Sequence, residues 1–234
     1  MDDKLNDDDE INGQKEDIIK EVKPRKKGNK DLKIIIVGNS FTGKTSLVNR
    51  YIYNKFAQTY SITIGSQFSY KIYKKDDVIY RVQFWDIAGQ DKNPETTRIF
   101  CQNTKGIILC CEVNKPESRD DTIKWKESIE KNIDIEKIPI ILIENKCDLL
   151  GEDENAYNKD LNQLNTFGEN YNINKCFRTS ALNGYNVEES INFLVDEIIR
   201  LSGNIQTNER KDTVKIKKEE RHTNIRTKEK NKCC

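Results

Sequence analysis

The sequence predicts an α/β fold, in which a six-stranded, mostly parallel sheet carries helices on both faces. From residue 32 onward, apolar runs of strand length alternate with helical patterns. One of these runs, 138–144, is almost wholly apolar, as expected of a central parallel strand. The first run leads straight into a glycine-containing motif, Gly38-Asn39-Ser40-Phe41-Thr42-Gly43-Lys44-Thr45. A motif of this spacing between a strand and a helix is typical of phosphate-binding α/β domains.

Apolar periodicity places the individual elements. Strands are predicted at about 32–37, 66–74, 78–85, 105–112, 138–144 and 175–178. Helices are predicted at about 44–53, 94–103, 118–132, 155–170 and 187–202. The polar turn Lys75-Asp76-Asp77 separates the second and third strands and indicates an antiparallel hairpin.

The two ends of the chain differ in composition from its middle. Residues 1–10 carry six acids against one lysine, a net charge of −5, whereas residues 208–234 carry a net charge of +5. Neither end has apolar periodicity, so we expect disordered extensions at 1–30 and 204–234 around a domain at 31–203. No apolar run approaches the roughly 18 residues of a membrane span, and the acidic N-terminus is unlike a signal peptide. We therefore expect the domain to be cytosolic.

Cysteine and histidine usage excludes several classes of site. Five of the seven cysteines are scattered without a C-x-x-C pair, which argues against a disulfide or zinc framework. Cys110 and Cys111 lie in an apolar run and are predicted to be buried. The one histidine, His222, lies in the basic tail, so a Ser-His or Cys-His catalytic pair is not expected in the domain.

The motif after the first strand has the spacing G-x4-G-K-[ST] of a phosphate-binding loop. Its backbone N–H groups would curl around a polyphosphate, Lys44 would reach the β and γ phosphates, and the Thr45 hydroxyl would bind Mg²⁺. The alternative is a strand–helix turn with a solvated lysine. The candidate binding residues are Gly38, Ser40, Phe41, Thr42, Gly43, Lys44, Thr45 and Ser46.

A second motif indicates which base the bound nucleotide would carry. The fifth predicted strand runs into Asn145-Lys146-Cys147-Asp148, an N-K-x-D sequence. A carboxylate at Asp148 can accept from both N1–H and the exocyclic amine of guanine, a pair of donors that adenine lacks. Asn145 would brace the neighbouring loops and approach N7, and the stem of Lys146 would lie along the base. On its own, N-K-x-D is a common polar turn.

A third motif, Trp85-Asp86-Ile87-Ala88-Gly89-Gln90, ends the third predicted strand. Asp86 would hold Mg²⁺ through water, the Gly89 amide would sense the γ phosphate, and Gln90 would orient the attacking water. D-x-x-G alone is a generic turn, but the longer W-D-x-A-G-Q sequence is specific.

With these three motifs, residues 31–201 resemble the Ras superfamily of small GTPases and, within it, the Rab branch. Thr63-Ile64-Gly65 is similar to the T-I-G of the Rab first switch, which implies that Thr63 completes the Mg²⁺ shell. Phe56 matches the aromatic that packs against guanine, although a core aromatic is the alternative. Thr179-Ser180-Ala181 resembles the last guanine loop, so Ser180 and Ala181 join the candidate binding residues, with the Ala181 N–H on the base oxygen.

Two further features resemble Rab proteins. Phe68, Trp85 and Phe100 match the aromatic triad through which the family binds effectors, while core aromatics remain the alternative. The terminal Cys233-Cys234 resembles the double-cysteine end that receives two geranylgeranyl groups, and two lipid chains give stable anchoring. The basic tail before it would add attraction to anionic lipids. Ile87, where most Rabs have threonine, is similar to the sub-branch linked to lysosome-related organelles.

Several positions depart from the family pattern. Phe41 takes a place that is usually small, and Leu182 replaces the lysine of S-A-K. Asn93 and Pro94 stand in the second switch where an aromatic and an apolar residue are usual. Arg119 replaces an apolar residue of the third helix. None of these changes removes a residue of the reaction, but the second switch makes partner identity unpredictable.

The resemblance implies a GTP/GDP switch that requires Mg²⁺, hydrolyses GTP slowly with Gln90 and Lys44, and recruits effectors to the cytoplasmic face of an endomembrane compartment. Implied partners are effectors, an exchange factor, a GTPase-activating protein, a prenylation escort and a GDP-dissociation inhibitor. We expect a monomer that binds no nucleic acid. One alternative is a GTP-binding scaffold that no longer hydrolyses. Another, an ATP-using phosphoryl transferase, is disfavoured by N-K-x-D.

Overall fold

A computed structural model of the chain describes residues 30–59, 61–90, 94–151 and 153–202. Its strands are β1 (Lys30–Val37), β2 (Ser66–Lys75), β3 (Val78–Ile87), β4 (Gly106–Glu112), β5 (Ile140–Asn145) and β6 (Lys175–Arg178). Its helices are α1 (Lys44–Tyr53), α2 (Pro94–Cys101), α3 (Pro116–Glu130), α4 (Glu154–Tyr157), α5 (Leu161–Asn170) and α6 (187–202). A 3₁₀ turn, Cys147–Leu149, follows β5.

The strands form one six-stranded sheet in the order β2-β3-β1-β4-β5-β6. Every neighbouring pair is parallel except β2 and β3, so the predicted mostly parallel sheet is confirmed. The predicted hairpin is confirmed as well. Its two turn residues, Asp76 and Asp77, have φ of 47° and 58°. Two consecutive positive φ values are typical of the tight turns that match the twist of a hairpin.

Alternating residues of the strands bury two separate cores, one on each face of the sheet. The first packs α1 and α6 against the sheet through side chains such as Leu47, Phe84 and Leu194. The second packs α2, α3 and α5 against the other face through side chains such as Trp125 and Leu164. β4 and β5 are buried along their whole length because helices cover them on both faces. The predicted burial of the adjacent thiols Cys110 and Cys111 is confirmed, one in each core.

The predicted single helix at 155–170 is wrong. The chain forms two helices, α4 and α5, separated at 158–160. Asp160 has φ of 56°, in the left-handed region that a helix interior excludes. The interruption leaves the carbonyls of Tyr157 and Lys159 outside a continuous helix, and the Arg178 guanidinium donates hydrogen bonds to both. A long-range contact from β6 therefore stabilises a break that local periodicity does not reveal.

Two predictions concern segments that lie largely outside the described residues. These are the disordered extensions at 1–30 and 204–234; of the first, Lys30 alone is described, and it begins β1. In the described part of the chain, every helix is too short or too polar to cross a membrane.

Candidate functional site

A cavity of about 390 Å³ opens at the edge of the sheet where β1, β3, β5 and β6 end. Loops at the carboxyl ends of parallel strands are where ligands bind in open α/β sheets. Most of the predicted binding residues line this cavity: Ser40, Phe41, Gly43, Lys44, Thr45, Ser46, Phe56, Thr63, Gly89, Asn145, Lys146, Asp148 and Ala181. The phosphate loop, both predicted guanine loops and the first switch therefore meet at one place.

Other predicted residues do not line the cavity themselves. Gly38 accepts from Lys44, and Thr42 donates from Oγ1 to the Asn39 carbonyl at 3.0 Å. Ser180 is fully buried and reaches the site through Asp148. Gln90 is exposed and does not line the cavity. The structure thus places Gln90 at the rim, directly after the Asp86–Gly89 segment.

The phosphate loop encloses the buried side chain of Lys44. Nζ of Lys44 donates to the carbonyls of Gly38 at 2.9 Å and Asn39 at 3.0 Å, and the residue is only 6% exposed. Burial lowers the pKa of Lys44, since the charged form loses solvation. Gly43, at the start of α1, has φ of 88°, and a Cβ there would collide with the Asn145 amide. A lysine held this way, at a helix N-terminus, suits a polyphosphate.

Three oxygen-bearing side chains meet beside Lys44. Oγ1 of Thr45 lies 2.9 Å from Oγ1 of Thr63 and donates to Oδ2 of Asp86. Asp86 is 2% exposed, and its Oδ1 has no hydrogen-bond partner among the described residues. Burial raises the pKa of Asp86, because the carboxylate lacks solvent, while its hydrogen bond from Thr45 and the charge of Lys44 act in the opposite direction. Hard oxygen donors around a buried, under-satisfied carboxylate fit Mg²⁺.

Asn145 joins the loops that surround the cavity. Its Nδ2 donates to the carbonyl of Thr42 at 2.9 Å, and its Oδ1 accepts from Thr179 Oγ1 at 3.1 Å and from the Ala181 N–H at 3.2 Å. Asn145 is 1% exposed. The predicted brace is therefore present in the structure, although the Ala181 N–H, which we expected on the base oxygen, bonds to Asn145 here.

The two side chains that follow Asn145 are oriented by partners that the motif does not include. Ser180 donates a short hydrogen bond to Oδ1 of Asp148, which fixes the carboxylate at the cavity wall. Nζ of Lys146 lies 3.0 Å from Oε2 of Glu112, the last residue of β4. Lys146 also has φ of 67°, so the backbone turns sharply between Asn145 and Asp148.

The predicted aromatic triad is a continuous cluster on β2, β3 and α2. The rings of Phe68 and Trp85 meet edge to face at 5.3 Å, and those of Trp85 and Phe100 are 6.2 Å apart. Phe68 is 48% exposed, so the cluster is partly a surface and not simply a core. Ile64, in the first switch, is 90% exposed.

Sequence reasoning missed several residues of the site. Glu112 could have been predicted, because it is a charged residue at the carboxyl end of a parallel strand, where sites of this fold form. The role of Asn39 could not be predicted. Its Nδ2 donates to Oδ2 of Asp121 on α3 at 2.6 Å, and these two residues are far apart in the chain. Leu149 and Leu182 also line the cavity. Residues 91–93 lie outside the described residues. They include Asn93, which we predicted to alter the second switch.

Comparison with known proteins agrees with this geometry. The profile of the Ras family matches residues 33–200. Ras-related protein Rab-32A of Dictyostelium discoideum is 35% identical over 173 residues, which cover 72% of this chain and 78% of that protein. Human Ras-related protein Rab-32 is 30% identical over 210 residues, which cover 86% of this chain and 88% of that protein. Human Ras-related protein Rab-7L1 is 27% identical over 207 residues, which cover 86% of this chain and 96% of that protein. The chain belongs to the Rab branch of the Ras family of small GTPases.

Proposed function

We propose that the cavity binds GTP and GDP together with Mg²⁺ and that the protein is a nucleotide-dependent switch in vesicle trafficking. One observation carries the proposal: the phosphate loop, Thr45 and Thr63 beside the buried Asp86, and the carboxylate of Asp148 surround one cavity. Lys44 and the loop amides bind the phosphates. Asp148 accepts from N1–H and the exocyclic amine of guanine, Asn145 lies at N7, and Phe56 packs on the base.

Thr45, Thr63 and Asp86 hold Mg²⁺ in this proposal. Oδ1 of Asp86 has no donor in the described part of the chain, which supports the assignment, because a buried carboxylate oxygen without a donor needs a positive partner. Bound Mg²⁺ supplies positive charge that offsets the charge on the phosphate oxygens during hydrolysis. Asp86 precedes Gly89 by three residues, so the chain links this cluster directly to the segment that carries Gln90.

Hydrolysis depends on Gln90 and Lys44. The Gln90 amide orients a water molecule for attack on the γ phosphate, and Lys44 stabilises the charge that develops on the leaving oxygens. The exposed position of Gln90 supports slow intrinsic turnover, because the side chain has to move to the cavity before it can hold the water. A GTPase-activating protein would hold the Gln90 side chain in the position that orients the water.

The contacts of Thr63 and Gly89 support a switch function. Thr63 is on the first switch and touches Thr45 of the phosphate loop, while a Cβ on Gly89 would collide with the backbone of Asn39 and Ser40. In this proposal both segments sense whether a γ phosphate is present. Ordered switches would present Phe68, Trp85 and Phe100 to effectors, and an exchange factor would reload the nucleotide.

Membrane attachment would come from geranylgeranyl groups on Cys233 and Cys234, which lie outside the described residues. A prenylation escort would deliver the protein, and a GDP-dissociation inhibitor would return it to the cytosol. Relatives named Rab-32 and Rab-7L1, together with Ile87, support a place on the cytoplasmic face of an endomembrane compartment, with lysosome-related organelles as the branch of trafficking.

Exchange of Asp148 for asparagine tests the base assignment directly. The amide can donate to the oxygen at position 2 of xanthine but no longer accepts two bonds from guanine. Asp148→Asn should therefore lower affinity for GDP by at least about tenfold and raise affinity for xanthosine diphosphate, measured by competition with a fluorescent nucleotide. Unchanged affinity for GDP would show that Asp148 does not read the base.

A further inference from the structure

A buried pair of opposite charges lies directly before the two loops that read the base. Glu144 is in β5, one residue before Asn145, and Arg178 ends β6, one residue before Thr179. The two residues are register partners in the parallel β5–β6 ladder. Nε of Arg178 donates to Oε2 of Glu144 at 2.7 Å, and their side chains are only 10% and 6% exposed.

The remaining contacts of the pair extend it across the fold. Nη1 of Arg178 donates to the carbonyls of Tyr157, at 3.0 Å, and Lys159, at the break between α4 and α5. The other oxygen of Glu144, Oε1, lies 3.7 Å from Nη1 of Arg119 on α3. Arg119 in turn stacks over the ring of Phe167 at 5.4 Å. Because burying charge is costly, such a network contributes little to stability compared with well-packed apolar residues, so its presence suggests another role.

Short hydrogen-bonded paths join this pair to the base-reading carboxylate. The Thr179 N–H donates to the Glu144 carbonyl at 3.0 Å, and the Cys147 N–H donates to the Thr179 carbonyl at 3.0 Å. One residue further along each loop, Ser180 donates to Asp148. The position of Asp148 relative to the cavity therefore depends on the separation of β5 and β6 at their carboxyl ends.

We infer that Glu144 and Arg178 are positioning residues for base selectivity, an inference that rests on the proposed guanine site. The pair fixes the ends of β5 and β6, so that Ser180 holds Asp148 where both of its oxygens face the two guanine donors. Loss of the pair lets the two loops shift, and the contact to the exocyclic amine weakens. Arg119 supports Glu144 from the far side over a longer distance and contributes less.

The test compares GDP with IDP, whose base lacks the exocyclic amine. Affinity for both nucleotides is measured on the full chain, together with the melting temperature. Arg178→Met and Glu144→Leu each leave one buried charge without its partner in the pair, so each should lower the melting temperature and reduce the preference for GDP over IDP by about tenfold. The double variant contains no unpaired charge of this pair. It should regain melting temperature while the preference for GDP stays reduced.

Two further variants keep the test interpretable. Arg178→Lys retains a cation but cannot bond to Glu144 and the Tyr157 carbonyl together, so it should give an intermediate loss of preference if Arg178→Met fails to fold. Ile129→Val, in the core on α3, lowers stability without touching either loop and should leave the preference unchanged.

A purely structural role would be shown by single variants that melt earlier yet keep the full preference for GDP. Recovery of preference together with melting temperature in the double variant would also overturn the inference. If the unaltered chain prefers GDP while the variants give either of these results, the proposed guanine site stands and the positioning role fails. If the unaltered chain binds neither nucleotide, both are wrong.

Discussion

Nδ2 of Asn145 donates a 2.9 Å hydrogen bond to the carbonyl of Thr42, and this bond joins the end of β5, where we propose that the base binds, to the loop at 38–45. The same amide accepts from Thr179 and Ala181 on the third loop of the cavity. One buried side chain therefore joins the loops of the proposed phosphate and base subsites.

Asn145→Ala should lower the free energy of unfolding by about 2–3 kcal/mol, since it removes three hydrogen bonds of about 1 kcal/mol each. It should also raise the GDP dissociation rate at least about tenfold, because the loops lose their common brace. Stopped-flow release of a fluorescent GDP measures the rate. Asn174→Ala is the matched control, since Asn174 accepts from the N–H of Ile140 at the opposite end of β5. Equal dissociation rates in the two variants would contradict the bracing role.

Removal of divalent cations should release nucleotide. We expect EDTA to accelerate GDP dissociation by at least about tenfold, because Thr45, Thr63 and Asp86 lose the cation that holds them to the phosphates. Thr45→Val removes the hydroxyl with little change of shape and should make dissociation fast and insensitive to EDTA. Thr122→Val, a buried threonine on α3 away from the cavity, should keep the response of the unaltered protein. A Thr45→Val protein that still responds fully to EDTA would exclude Thr45 as a metal ligand.

Two phenylalanines on paired strands should respond differently to truncation. Phe84 is fully buried in the core between the sheet and α1, so Phe84→Ala should cost about 3–5 kcal/mol of stability. Phe68 is 48% exposed and packs on Trp85, so Phe68→Ala should cost about 1 kcal/mol or less. Urea unfolding of both variants checks the difference. Similar losses would mean that the Phe68–Trp85–Phe100 cluster is a structural core and not a binding surface.

Stability should decline at alkaline pH through the buried thiols. Burial raises the pKa of Cys110 from 9.0 to about 11, so the folded protein keeps this proton when the unfolded chain releases it. The stabilisation is fully present below pH 9 and is lost between pH 9 and 11, with a slope of up to about 1.4 kcal/mol per pH unit. Urea unfolding at pH 8, 9 and 10 should show a shallower decline for Cys110→Ala than for the unaltered chain. Parallel curves would contradict the raised pKa.

Much of the site could be predicted from the sequence because its ligand-facing residues form short local motifs. Lys44, Thr45 and Asp148 follow strands at short offsets, Asp86 is next to last in β3, and parallel strands bring such positions to one edge. The predicted brace by Asn145 follows from the same topology. The strand order could not be read from these offsets alone, but the alternation of strands and helices was enough for the fold class.

The interactions that sequence analysis missed all join residues far apart in the chain. Arg119, Glu144 and Arg178 come from a helix and two strands, and only the packing of that helix on the sheet brings them together. The break at Asp160 belongs to the same group, since the carbonyls released there are bound by Arg178. Arg119 itself was recognisable as unusual for its position, but its partner was not.

Single-turnover hydrolysis of GTP on the full chain tests the central claim most directly. Protein loaded with GTP and Mg²⁺ is followed by chromatography of GDP over time. We expect conversion on the order of 10⁻⁴ s⁻¹, as in other Ras-type proteins without an activator, and a further loss of rate in Gln90→Leu. Tight GTP binding with no conversion, identical in Gln90→Leu, would contradict the switch mechanism and leave a GTP-binding scaffold instead.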